Sequence, residues 1–171
     1  MKSLVAALAV LASSTLLFAQ NPVTNVVREI LPRQQKNLVA AVEEMPADKF
    51  GYKPTPPQMS FAKLVIHITE SNNYLCGKIA GAPGAKMEDL KETDGKDKLL
   101  SALKASFDSC ATSLAKADDS KLGDPIELYG GRKGTRASAL FFLTNDWADH
   151  YSAAAMYLRL NGMLPPTAQK K

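Results

Sequence analysis

Apolar residues recur every three to four positions along four long stretches of this chain, and no comparably long stretch alternates with the two-residue period of a half-buried strand. Such a pattern limits the fold to packed helices. Val23, Val26, Val27, Ile30, Leu31, Leu38, Val39 and Val42 mark a first helix from about Pro22 to Met45, with Pro32 expected to kink it or to mark a later start. Phe61, Leu64, Val65, Ile68, Leu75 and Ile79 mark a second, opened by Ser60 as N-cap and stopped at Gly81-Ala82-Pro83-Gly84. Leu99, Leu100, Leu103, Phe107, Cys110, Ala111 and Leu114 mark a third, from about Asp97 to Ala117. The fourth runs from Thr135 to Asn161, before Gly162 and Pro165-Pro166. Between helices, Phe50 to Pro57 reads as an extended connector pinned by Phe50 and Tyr52. Ala85 to Lys96 reads as a polar crossover, and Ile126 to Tyr129 as at most one short strand. The expectation is a single-domain, all-α four-helix bundle.

The start of the chain reads as an export leader. Lys2 precedes an apolar run, Leu4 to Phe18, of 15 residues, short of the roughly 20 that span a bilayer. Cleavage after Ala19 would leave residues 20–171 as the mature domain, in a secreted or periplasmic location. Only Lys2 of the charged residues would be lost, leaving 20 basic against 17 acidic groups, a net charge of +3. The basic residues are scattered rather than massed, which argues against a nucleic-acid surface. The expected partner is a small-molecule ligand, with no membrane contact after cleavage and a homodimer left open.

Cys76 and Cys110 are the only two cysteines, and an even count in an exported chain favours one disulfide over two buried thiols. Their positions make this a test of topology. Cys76 lies about 24 Å along the second helix and Cys110 about 20 Å along the third, at about 1.5 Å per residue. The sulfurs meet if these helices run parallel and adjacent; in an antiparallel hairpin they would lie near opposite ends.

Chemistry concentrates on the two histidines. His67 lies on the second helix. His150 lies on the fourth, four residues after Asp146, so both project from one helical face. Two imidazoles and a carboxylate from facing helices can hold zinc, nickel or iron(II) and leave positions open for water or substrate. Glu70, one turn beyond His67, is the candidate catalytic base, with a fourth ligand, a hydrogen-bonding support for a ligand or an exposed carboxylate as its other readings. Asp149 would orient a neighbour or face solvent, Tyr151, Tyr157 and Arg159 would pack or cap, and Trp147 would lean on the bundle surface. No nucleophile elbow, phosphate loop or dinucleotide fingerprint is present.

Two segments carry a family resemblance: F-G-Y-K-P-T-P followed by S-F-A-K-L-V-I-H-I around His67, and D-W-A-D-H-Y-S followed by Y-L-R-L-N-G-M-L-P-P around His150. Together they resemble the DinB/YfiT-like four-helix bundles, over about Asn21 to Pro166. The resemblance implies up-down-down-up helix order, with Ala85–Lys96 as the long crossover. It also implies a divalent-metal site of one histidine on the second helix and H-x-x-x-H on the fourth. His67 and His150 match the outer positions, and Asp146 stands where the middle histidine is usual. Ser152 and Ala153 replace the usual Gly-Asn or Gly-Gln after the last histidine. The family includes transferases and isomerases whose metal activates a low-molecular-weight thiol. The functional expectation is a metal-dependent hydrolase or thiol transferase, the alternative a non-catalytic bundle that binds metal or a small ligand.

Overall fold

The computed structural model describes residues 21–84 and 88–169. The expected leader, residues 1–19, lies outside them, as do three crossover residues and the 170–171 tail. Four helices form the body: α1 (Pro22–Glu44), α2 (Phe61–Ala80), α3 (Lys96–Ala115) and α4 (Arg136–Leu160). No described helix is long and apolar enough to cross a membrane.

Helices α2 and α4 begin for a local reason. The Ser60 hydroxyl accepts from the Lys63 N–H at 3.0 Å and so caps α2, which stops at Gly81 in the left-handed region, φ 67°. Thr135 and Ser138 form a reciprocal capping box at the start of α4. The cap of α1 comes from elsewhere: the Asp119 carboxylate accepts from the Val23 and Thr24 N–H groups at 2.8 and 3.0 Å. Burial works against its charge, but those two N–H groups hold Asp119 below the usual carboxylate range. In return Arg28 donates to the Leu114 and Ala117 carbonyls that end α3. At the other end, Lys96 at the start of α3 donates to the Glu43 and Met45 carbonyls that end α1. Antiparallel α1 and α3 therefore cap each other at both ends.

The second and third helices run parallel. Asn72 bonds Ser106 and Cys76 is bridged to Cys110, and both pairs are 34 residues apart in sequence. A constant offset is what two parallel helices in register produce. The bridged Cα atoms are 5.2 Å apart, within disulfide range. Helix α2 runs antiparallel to α4, with Tyr157 reaching the Met59 carbonyl at one end and Arg136 the Ile79 carbonyl at the other. The bundle is up-down-down-up, and around it each helix packs chiefly on two neighbours: α1 on α3 and α4, α2 on α3 and α4.

The connector behaves as its residues suggest. Phe50 is buried edge-on against Phe61, Tyr52 meets Tyr157, and the Phe50 and Tyr52 carbonyls accept from Ala62 and Phe61 N–H groups.

Several expectations are corrected. Helix α1 passes unbroken through Pro32, whose ring faces solvent, so the carbonyl four residues back loses its helical partner on the wet side. Val23 and Val26 are 41 and 53 % exposed, because Val27 and Leu31 supply the inward stripe there; Ala111 is also exposed. In place of one short strand, β1 (Pro125–Glu127) pairs antiparallel with β2 (Lys133–Thr135), Ile126 opposite Gly134. Trp147, expected on the surface, is fully buried beside Phe107. Its indole N–H donates to Asn72 Oδ1 at 2.7 Å, and Asn72 donates on to Ser106 at 3.0 Å. That bond is what permits an indole at the centre of the bundle. Trp147→Phe should leave the Asn72 oxygen buried without a donor, costing about 2 kcal/mol. Thermal denaturation should show a drop of about 4–8 °C; an unchanged melting temperature would mean that the bond contributes nothing.

Candidate metal centre

Antiparallel packing of α2 on α4 brings His67 onto two side chains that lie about eighty residues further along the chain. His67 projects from α2; Asp146 and His150 project one turn apart from α4. Each offers a ligand atom, and these atoms all lie within 4.8 Å of one another. Asp146 Oδ1 is 3.8 Å from His67 Nε2 and 3.4 Å from His150 Nδ1, and the two imidazole rings are 4.7 Å apart at an angle of 40°. Asp146 and His150 are mostly buried, whereas the His67 side chain is 41 % exposed, so the group opens to solvent on the α2 side.

Hydrogen bonding prepares the ring of His150. Its Nδ1 lies 2.6 Å from the Asp146 main-chain oxygen. A carbonyl only accepts, so Nδ1 carries the hydrogen and Nε2 keeps the lone pair. Fixing a ligand imidazole through its second nitrogen is a common feature of metal sites.

The charges lack one component. Asp146 Oδ2 is buried without a hydrogen-bond partner among the described residues. Burial raises the Asp146 carboxyl above its ordinary range, against the pull of both histidines and of the nearby Ser71 hydroxyl. Burial, and next the proximity of His150, lower His67 below 6.5. The pocket thus disfavours both a bare Asp146 carboxylate and a charged His67 imidazole. Two imidazole nitrogens and one carboxylate oxygen with a spare lone pair suit a divalent cation instead.

Glu70 is half-buried and close enough that its charge raises His67, yet it contributes no atom to the three-residue group. Asp149 is exposed on α4 and faces a neighbouring cleft. Tyr157 donates to the Met59 carbonyl, Tyr151 to Thr167 and Arg159 to the Ala155 carbonyl, so each packs or caps.

Sequence reasoning missed three neighbours. Ser71 stands one turn after His67, a spacing that could have flagged it. Tyr129 and Arg132 come from the hairpin region, where nothing in the sequence forecasts their placement. Tyr129 stacks on Tyr74 at 3.9 Å. More than half of its surface is exposed, but its hydroxyl end is half-buried near Ser71 and Asp146, and that desolvation pushes the phenol up to about 12.

Comparison with known proteins bears on the fold and the family. The chain resembles a DinB-like protein of Bacillus subtilis at 21 % identity and a TM-score of 0.69, over 85 % of this chain and 100 % of that one. A DinB-like protein of Bacillus cereus aligns at 13 % identity and 0.67, over 83 and 95 % of the two chains. A conserved protein of Enterococcus faecalis aligns at 17 % and 0.62, over 80 and 95 %. At these identities the likeness speaks for the fold alone. No curated protein matches in sequence. The profile of the DinB superfamily matches residues 30–154, which takes in α2, α3, most of α1 and α4 and the three clustered side chains, and the chain therefore belongs to the DinB superfamily.

Proposed function

We propose that His67, Asp146 and His150 bind one divalent ion, zinc, nickel or iron(II), and that the chain is an exported metal-dependent hydrolase acting on a small molecule. The observation that carries this reading is the convergence of three donor atoms within 4.8 Å around a carboxylate whose second oxygen is buried and unpartnered. A divalent ion held there supplies Lewis-acid chemistry, polarising a carbonyl or acidifying a nearby water or thiol. Asp146 provides the one anionic donor. His67 and His150 provide neutral ones, with His150 oriented through its Nδ1–H. Glu70, one turn beyond His67, accepts the proton released on hydrolysis. Tyr129, held protonated, offers a hydrogen bond at the mouth. Export is supported by the leader-like start and by a disulfide, which persists in oxidising compartments. That location favours water over a cytosolic thiol as the attacking group.

Elemental analysis of protein purified without a metal-affinity tag should find one divalent ion per chain. Chelation should lower the melting temperature by about 5–10 °C, the expected effect of removing an ion present at about 100 times its Kd. Absence of metal together with identical melting curves would refute the reading.

A further inference from the structure

Beside the metal centre lies an open cleft of about 520 Å³, lined by Leu75, Leu128, Tyr129, Arg132, Phe142, Asn145, Asp146 and Asp149. Its volume suits a small organic molecule. Asp146 belongs to both cleft and centre, so the cleft adjoins the proposed ion site.

Arg132 is the only cation on its wall. The guanidinium sits 4.6 Å from the centre of the Phe142 ring, which positions it without using its N–H groups. Two other arginines are committed elsewhere: Arg28 to the end of α3, and Arg136 to Asp124 at 3.1 Å. Arg132 makes neither an ion pair nor a side-chain hydrogen bond among the described residues, so its donor fork is free.

Helix α4 sets the spacing. Phe142, beneath Arg132, precedes Asp146 by four residues, about 6 Å along the axis, and Asp149 by seven, about 10 Å. The cation is thus at one end of the cleft, the metal ligand in the middle and the exposed carboxylate at the far end. An anion bound at Arg132 avoids Asp149 and places a polar atom three or four bonds away beside the ion. Asn145, a turn from Phe142, adds an amide, while Leu75, Leu128 and Phe142 cover the carbon skeleton between. One guanidinium without a second cation matches a singly charged carboxylate better than a doubly charged phosphate.

We propose that Arg132 anchors the carboxylate of the substrate, and that the centre acts on small molecules whose reacting group lies a few bonds from a carboxylate. This inference rests on the metal reading above. Two hydroxamates, both metal-directed, separate the two ideas by calorimetry on zinc-loaded protein: succinic monohydroxamate, with a carboxylate, and butyrohydroxamate, without one. Wild type should bind the carboxylate form about tenfold more tightly. Arg132→Gln should erase that preference while leaving butyrohydroxamate affinity unchanged, and Arg132→Lys should restore part of it. Equal affinities in wild type, or a preference that survives Arg132→Gln, would overturn the anchor and leave the metal centre standing. If the protein takes up no zinc, or if neither hydroxamate binds once zinc is loaded, the reading of an open metal centre fails, and the anchor with it.

Discussion

Asp146→Ala is expected to raise the dissociation constant for zinc or nickel by at least about 100-fold, or about 2.7 kcal/mol. The substitution removes the only anionic donor and leaves two imidazoles 4.7 Å apart. Asp146→His should act in the opposite direction, because imidazole is a softer donor that suits both ions. A second readout separates a ligand from an ordinary ion-pair partner. In metal-free protein Asp146 carries a raised carboxyl and an unpartnered oxygen. A carboxyl raised by folding loses stability as pH climbs from its unfolded value through its folded one, so above that window Asp146 destabilises the metal-free chain. Asp146→Asn should therefore leave metal-free protein as stable as wild type or more so at neutral pH, while still weakening metal binding. Titration calorimetry and paired melting curves measure both. Wild-type affinity in Asp146→Ala and Asp146→His would remove Asp146 from the centre.

Removing the bridge should have the largest effect on stability. Cys76 and Cys110 close a loop with a sequence separation of 34, for which chain entropy gives a stabilisation of about 4 kcal/mol. A Cys76→Ala/Cys110→Ala variant should melt about 8–16 °C below the oxidised protein. Both cysteines are fully buried, so reductant should act on the native protein only slowly. A double variant melting within about 2 °C of wild type would show that the bridge constrains little that packing does not already hold.

The elements legible in the sequence are those whose cause is local. Ser60 and Gly81 mark the ends of α2 because a cap hydroxyl and a left-handed glycine act on their own neighbours. Asp146 and His150 could be paired at sight because four residues make one helical turn. Joining them to His67 needed only facing helices, and the two cysteines constrained helix direction. Non-local causes were hidden. Nothing near Trp147 announces that its indole will find Asn72, 75 residues away, so an aromatic ring amid polar residues read as a surface group. Val23 and Val26 fit the helical period, but the face α1 buries there is chosen by α3 and Asp119. Two three-residue strands are too short to show a period. Arg132 becomes interesting only once the hairpin lays it over Phe142.

The arrangement of neighbours around the bundle has a consequence for synthesis. Helix α1 takes its main contacts from α3 and α4, both made later. As the chain emerges from its N-terminus, Leu38, Ala41 and Val42 have no lasting cover until residues beyond 100 have appeared. Helix α2 is in the same position, since Cys76 and Asn72 meet partners on α3, and His67 meets its own on α4. A ribosome stalled before α3 would therefore hold two amphipathic helices with little to pack against each other, a natural client for a chaperone that shields apolar faces. The three donors would first meet only after the last long helix had been released.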